Sequence, residues 1–159
     1  MLIYLICFAI TIFFTYLLER NRRGKNIKIL EFVYILIIIG VTTLFAGFRD
    51  KTIGTDIQVY VEPILNGIYN YGFNFTYDTA NVEILFVVLG QITCWLNGDI
   101  NTFLIIIQLI MSTLVIKSIL GKRDDKQSIV LYMLTYLCMF YGIGFNLMRQ
   151  SIAMTIILF

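Results

Sequence analysis

Long runs of apolar residues, unbroken by charge, constrain this chain more than any other feature. Residues 29–48 contain the continuous stretch Tyr34-Ile-Leu-Ile-Ile-Ile-Gly40, and residues 102–120 are nearly as apolar. About 20 such residues carry a helix across a hydrocarbon core. Inside lipid every backbone polar group must find a partner within the protein, so only helices and closed barrels span it. Barrel strands alternate apolar and polar positions, and these runs do not. Charged residues make up 14% of the chain, against about 25% in a soluble domain. The expected fold class is all-α: a polytopic transmembrane helical protein with about five membrane segments plus the truncated start of a sixth.

The segments read as residues 1–18, 29–48, 84–96, 102–120 and 128–145, with the sixth beginning near Asn146. The first is no secretory signal, because it lacks a basic leader and a small-residue cleavage site. Its basic residues come after it: Arg20, Arg22, Arg23, Lys25 and Lys28. Basic loops stay on the cytoplasmic side, so the N-terminus should lie outside. Residues 49–81 then form an extracytoplasmic loop, rich in Tyr and Phe, with helices at the bilayer surface. The last run, residues 151–159, ends without a cap or polar exit. Residues 1–159 therefore read as a single transmembrane domain, the N-terminal fragment of a longer protein.

Segment 84–96 is short for a crossing and has two readings. If it spans, the basic stretch Lys117–Lys126 falls outside, against the charge rule. If it is re-entrant, that stretch joins the first basic loop inside, and Asn146, Arg149 and Gln150 emerge outside with Arg49. The second reading obeys the charge rule and is preferred.

A formal net charge of +2 gives no footing for nucleic acid, and the absence of histidine excludes a histidine base or histidine-bound metal in this stretch. Cys7, Cys94 and Cys138 lie far apart in apolar runs, without metal-ligand spacing, and read as small packing residues. No metal or cofactor is expected.

Three sites carry candidate chemistry. The first is Arg49-Asp-Lys-Thr-Ile-Gly-Thr-Asp56, continuing to Tyr60. Gly54 permits a turn that other residues resist. Thr55 or Asp56 can cap the helix that follows, and Asp56 and Tyr60 share a face at i,i+4 spacing. An ordinary turn with a snorkelling arginine is the rival reading. The second is Asn146-Leu-Met-Arg149-Gln150-Ser-Ile-Ala153, where Asn146, Arg149, Gln150 and Ala153 would form one helical stripe. An arginine within a membrane helix is a functional-site hypothesis by default; an interfacial anchor is the alternative. The third is Glu83, at the mouth of the short segment, where it can pair with Arg49 or Arg149 or serve as a plain interfacial acid. Glu31 reads as interfacial.

These residues, in this order, resemble the pattern of the EpsG family, which is related in role to the Wzy polymerases of capsule and O-antigen assembly. The resemblance spans nearly the whole chain, yet only about the first half of a typical member. It implies a glycosyltransferase-type polymerase in the bacterial cytoplasmic membrane, acting in exopolysaccharide, capsule or O-antigen biosynthesis. A growing chain would pass from its undecaprenyl diphosphate carrier to the next lipid-linked repeat unit at the outer face, with inversion. The implied partners are undecaprenyl-diphosphate-linked oligosaccharide, the lipid bilayer and other polysaccharide assembly proteins, and no nucleic acid. Arg49 and Arg149 would bind the diphosphate by forked hydrogen bonds, with Gly54, Thr55, Tyr60, Asn146 and Gln150 completing the substrate site. Without histidine, Asp56 or Glu83 would have to accept the proton, a task that partial burial favours. Three other readings stay open: a non-catalytic, flippase-like transport component; another membrane transferase, such as an O-antigen ligase or an acyltransferase, the latter weakened by the missing histidine; and an inactive truncated polymerase remnant.

Overall fold

A computed structural model describes residues 2–24, 27–50, 52–74, 77, 82–121 and 128–158. No strand occurs among them. Helix α1 runs Leu2–Arg23 and α2 runs Lys28–Gly47. Helix α1 continues past its apolar run because Arg20, Arg22 and Arg23 occupy its last turn, where cations meet the negative end of the helix dipole. The turn between α1 and α2 is braced by Asn21. Its side-chain amide donates to the Ile27 carbonyl at 3.0 Å and accepts from the Ile27 N–H at 3.3 Å. Arg22 spans the same turn to Glu31 at 2.7 Å.

A π-helical turn, Ile57–Val61, leads into α3, Glu62–Tyr71, whose first turn holds Pro63. Proline has no N–H to continue the helical ladder, and the π-helical turn lies directly ahead of it. Helix α4 is Ile84–Trp95 and α5 is Ile100–Gly121. Helix α6, Ile129–Thr135, continues as a π-helical turn, Tyr136–Tyr141, and a 3-10 turn, Ile143–Phe145. Helix α7 is Met148–Leu158. Among the described residues three helices are long and apolar enough to cross a membrane: Ile3–Arg23, Lys28–Gly47 and Ile100–Gly121. The apolar helices Ile84–Trp95 and Ile129–Tyr141 are shorter.

Helix α5 is the spine. Phe103, Leu104, Ile107 and Met111 in its first half pack with α3, α4 and α7. Val115 and Ile116 in its second half pack with α1, α2 and the Tyr136–Tyr141 turn. It runs antiparallel to α2. A Cβ on Gly47 would fall 2.2 Å from Ile105, and Thr42 and Ser112 share a hydrogen bond of 3.0 Å further along. The interior is stitched by polar side chains: Gln108 donates to Ser112 at 3.1 Å, and the Tyr141 hydroxyl donates to the Thr42 carbonyl at 2.7 Å. Such bonds hold membrane helices together where lipid offers no hydrophobic drive. Outward faces are apolar, as lipid requires, with Ile3, Leu5, Phe13, Ile29, Phe32, Leu36 and Leu109 exposed.

These contacts fix two ends. At the basic end, Glu19 near the close of α1 accepts from the Ser128 hydroxyl at 2.9 Å and the Val130 N–H at 3.0 Å. The start of α6 therefore lies beside the first basic loop. At the other end Gly47 meets the start of α5, and Tyr4 of α1 reaches Phe145 with ring centroids 5.8 Å apart. Helix α4 also starts there, beside α7, where Glu83 meets Arg149. Its 12 residues rise about 18 Å, well short of a core of about 30 Å. Residues 122–127, the rest of the second basic stretch, lie outside the described residues. Cys7 is buried, Cys94 half-buried and Cys138 exposed.

Candidate functional site

The two motifs, some ninety residues apart, meet at the non-basic end. Arg49 follows the last turn of α2, where the Phe48 N–H closes the helix on the Leu44 carbonyl at 3.0 Å. Its side chain is only 7% exposed. The guanidinium lies over the Phe145 ring at 4.3 Å and donates from Nη2 to the Phe145 carbonyl at 3.4 Å, with Met148 Sδ at 3.8 Å. Its buried Nε has no hydrogen-bond partner among the described residues. Burial pushes Arg49 down to about 10, against the pull of Tyr4, Tyr141 and Asp56. It keeps its charge at neutral pH.

Gly54 is required twice over. Its φ is +109°, and a Cβ there would fall 2.3 Å from the Phe145 carbonyl oxygen. Only a residue without a side chain permits both that angle and that approach. Thr55 is exposed and opens the next helical turn. Neither Thr55 nor Asp56 caps its own helix, contrary to the sequence-based expectation. The buried Asp56 carboxylate instead accepts the Met148 N–H at 2.9 Å. Met148 opens α7, whose first N–H groups have no partner within the helix. A cap has thus been supplied from across the fold.

One turn on, Tyr60 faces the same way as Asp56. Its ring lies beneath Arg149, with Cζ 3.9 Å from the centroid. Arg149 Nη1 donates to Glu83 Oε2 at 2.9 Å. The two side chains are 26% and 64% exposed. Glu83 precedes the first turn of α4 and makes no side-chain cap bond to that helix. Its own backbone N–H, and then Arg149, hold its carboxyl below the usual range, against the opposing effect of burial. A base raised by burial was the expectation; Glu83 is exposed and shifted the other way.

Asn146 and Gln150 are exposed, and neither side chain joins the cluster. The stripe expected from Asn146 to Ala153 begins only at Arg149, because Asn146 ends the 3-10 turn ahead of α7. Sequence reasoning missed Phe145 and Met148. Phe145 adjoins the second motif, yet its contribution is a ring face and a carbonyl. Neither leaves a sequence signal.

The arrangement holds one buried cation and one reachable cation on the same fixed helix start. The reachable one is backed by an aromatic ring and rimmed by a carboxylate, a setting suited to an anionic ligand. The model of the EpsG family matches residues 32–159. No curated protein and no solved structure matches the chain.

Proposed function

This chain belongs to the EpsG family, and on that premise we propose that it polymerises saccharide repeat units by glycosyl transfer at the outer face of the bacterial cytoplasmic membrane. Membership indicates a membrane-embedded polysaccharide polymerase role in general. The finer reading takes undecaprenyl-diphosphate-linked saccharide as substrate. The observation that carries it is Arg149, partly exposed and seated over the Tyr60 ring, where the first motif fixes the start of α7.

In this reading Arg149 grips the diphosphate leaving group. The acceptor sugar's hydroxyl oxygen bonds to the anomeric carbon of the growing chain. The bond from that carbon to the diphosphate oxygen breaks, and its electron pair stays with the diphosphate. Charge then builds where Arg149 waits, and a donor placed there in advance lowers the barrier. The hydroxyl proton passes to Glu83, the exposed carboxylate of the two candidates. Asp56 is buried and bonded to the Met148 N–H, so its part is to position α7. Arg49, sealed against Phe145, acts with it. Thr55, Asn146 and Gln150 are exposed at this end and remain available to sugar hydroxyls. The basic end then faces the cytoplasm, which places the N-terminus and residues 49–81 outside.

The test is Arg149→Lys in the gene as it stands in its host. Lysine keeps the charge but loses the planar fork and the ring stack. Polymer should vanish and single lipid-linked repeats accumulate on the outer face. Normal polymer length would refute the arginine mechanism. Repeats trapped on the cytoplasmic face would point to a transporter instead.

A further inference from the structure

Arg149 sits at the level where α2 ends and α7 begins, which in a bilayer is the level of the lipid headgroups. Every bulk phospholipid carries a phosphate there. An arginine open to that surface would be occupied by ordinary lipid long before a scarce lipid-linked substrate arrived. The structure contains an answer to this difficulty. One face of the guanidinium is closed by the Tyr60 ring, and Nη1 is held by Glu83 at 2.9 Å.

We propose that Glu83 is a specificity gate: it keeps singly charged lipid phosphate off Arg149 and yields the guanidinium to a diphosphate. The proposal rests on the reading that this site takes a lipid-linked diphosphate. A tethered carboxylate competes at high effective concentration, with no translational cost. A phosphodiester brings one charge and cannot displace it easily. A diphosphate brings more charge and more acceptor oxygens, and guanidinium prefers such forked partners. The pair is built for exchange. Glu83 is 64% exposed and makes no cap bond to α4; apart from Arg149, its own backbone N–H is what holds the carboxyl. Asp56 is the contrast: buried, and fixed to a backbone N–H. Once displaced, the Glu83 carboxylate is free beside the bound diphosphate, where the acceptor's proton must go.

The experiment titrates inorganic pyrophosphate into the purified protein in nanodiscs, first of phosphatidylcholine and then with phosphatidylglycerol added. Wild type, Glu83→Gln and Arg149→Gln are compared. A negative surface repels pyrophosphate from all three alike, so the difference between proteins is the readout. Glu83→Gln is isosteric at an exposed site and should fold. In phosphatidylcholine it should bind pyrophosphate about tenfold more tightly than wild type, the size of one lost competing charge contact. Phosphatidylglycerol should erase that gain, because the ungated arginine now takes the lipid headgroup. Equal affinity of Glu83→Gln and wild type in both membranes overturns the gate while leaving Arg149 as the diphosphate ligand. A tighter Glu83→Gln that phosphatidylglycerol leaves unchanged overturns the selection against bulk lipid. Wild-type affinity in Arg149→Gln overturns the diphosphate site itself.

Discussion

The two ends of the bundle use the same device and differ in what they leave over. At the basic end the Glu19 carboxylate reaches across to the start of α6, taking the Ser128 hydroxyl and the Val130 N–H. At the other end the Asp56 carboxylate reaches across to the start of α7, taking the Met148 N–H. Both acids satisfy helix donors that their own helices cannot. Around Glu19 the ion pairs brace the fold: Arg23 pairs with it at 2.5 Å, and Arg22 pairs with Glu31 at 2.7 Å across the α1–α2 turn. Around Asp56 the cations are held more loosely. Arg49 is buried against a ring and a carbonyl, its Nε without a hydrogen-bond partner among the described residues, and Arg149 is held by the Tyr60 ring and an exposed acid. Bracing pairs fix the fold. A cation held by a loose partner can exchange it for a ligand. On the proposed reading the site belongs to the end with the exchangeable pair, although both ends carry arginine and carboxylate.

The strongest way to break the comparison is Gly54→Ala. The methyl would meet a backbone carbonyl at 2.3 Å, at a φ of +109°. Backbone cannot yield as a side-chain tip can, so the 49–56 corner must move away from Phe145. The expected cost is about 3 kcal/mol, as for strain and overpacking together. It should appear as a lower melting temperature in detergent and as lost polymer. Wild-type behaviour in both would mean that the two motifs do not meet at Phe145.

Asp56 sharpens the contrast with Glu83. Asp56→Ala leaves a buried N–H unsatisfied and should cost about 1–3 kcal/mol. Asp56→Asn keeps an acceptor oxygen for Met148, so stability and polymer length should stay near wild type. Glycan length on gels and melting curves report the two separately. A stable but inactive Asp56→Asn would make Asp56 the base and return Glu83 to a purely electrostatic part.

How far the sequence reaches follows the same division. Helices α2, α4 and α5 were legible to within a few residues, because burial in lipid demands continuous apolar runs and little else. The end of α1 was not, since the basic residues read as loop are also good helix terminators. Charge bias alone suggested that the chain turns back at 84–96; the structure adds that this helix is short, 12 residues, and starts beside α7. At the site, Arg49, Gly54, Asp56, Tyr60, Glu83 and Arg149 were each nameable, and Glu83 with Arg149 was a foreseeable pair. Their other partners were not. Asp56 looked like a local cap because capping rules read neighbours in sequence, whereas its donor is 92 positions away. Arg49 looked like a ligand-binding cation because arginines are costly to bury. What pays that cost here is the ring and carbonyl of Phe145, which no spacing rule announces.

The smallest expected effect closes the comparison from the other side. Arg22 and Glu31 bridge the α1–α2 turn at 2.7 Å, both partly exposed. Asn21 also spans that turn with two hydrogen bonds to Ile27. An exposed ion pair contributes about 0.2–1 kcal/mol, and the turn keeps its second brace when the pair is gone. Arg22→Ala should therefore lower the melting temperature slightly and leave polymer length unchanged. The same substitution separates two meanings of arginine in one chain. If Arg22→Ala shortened polymer as strongly as Arg149→Lys, charge at the membrane surface in general would be what matters, whichever face it lies on. The distinction between bracing pairs at one end and an exchangeable pair at the other would then lose its functional content, because the basic end would be contributing more than its fold.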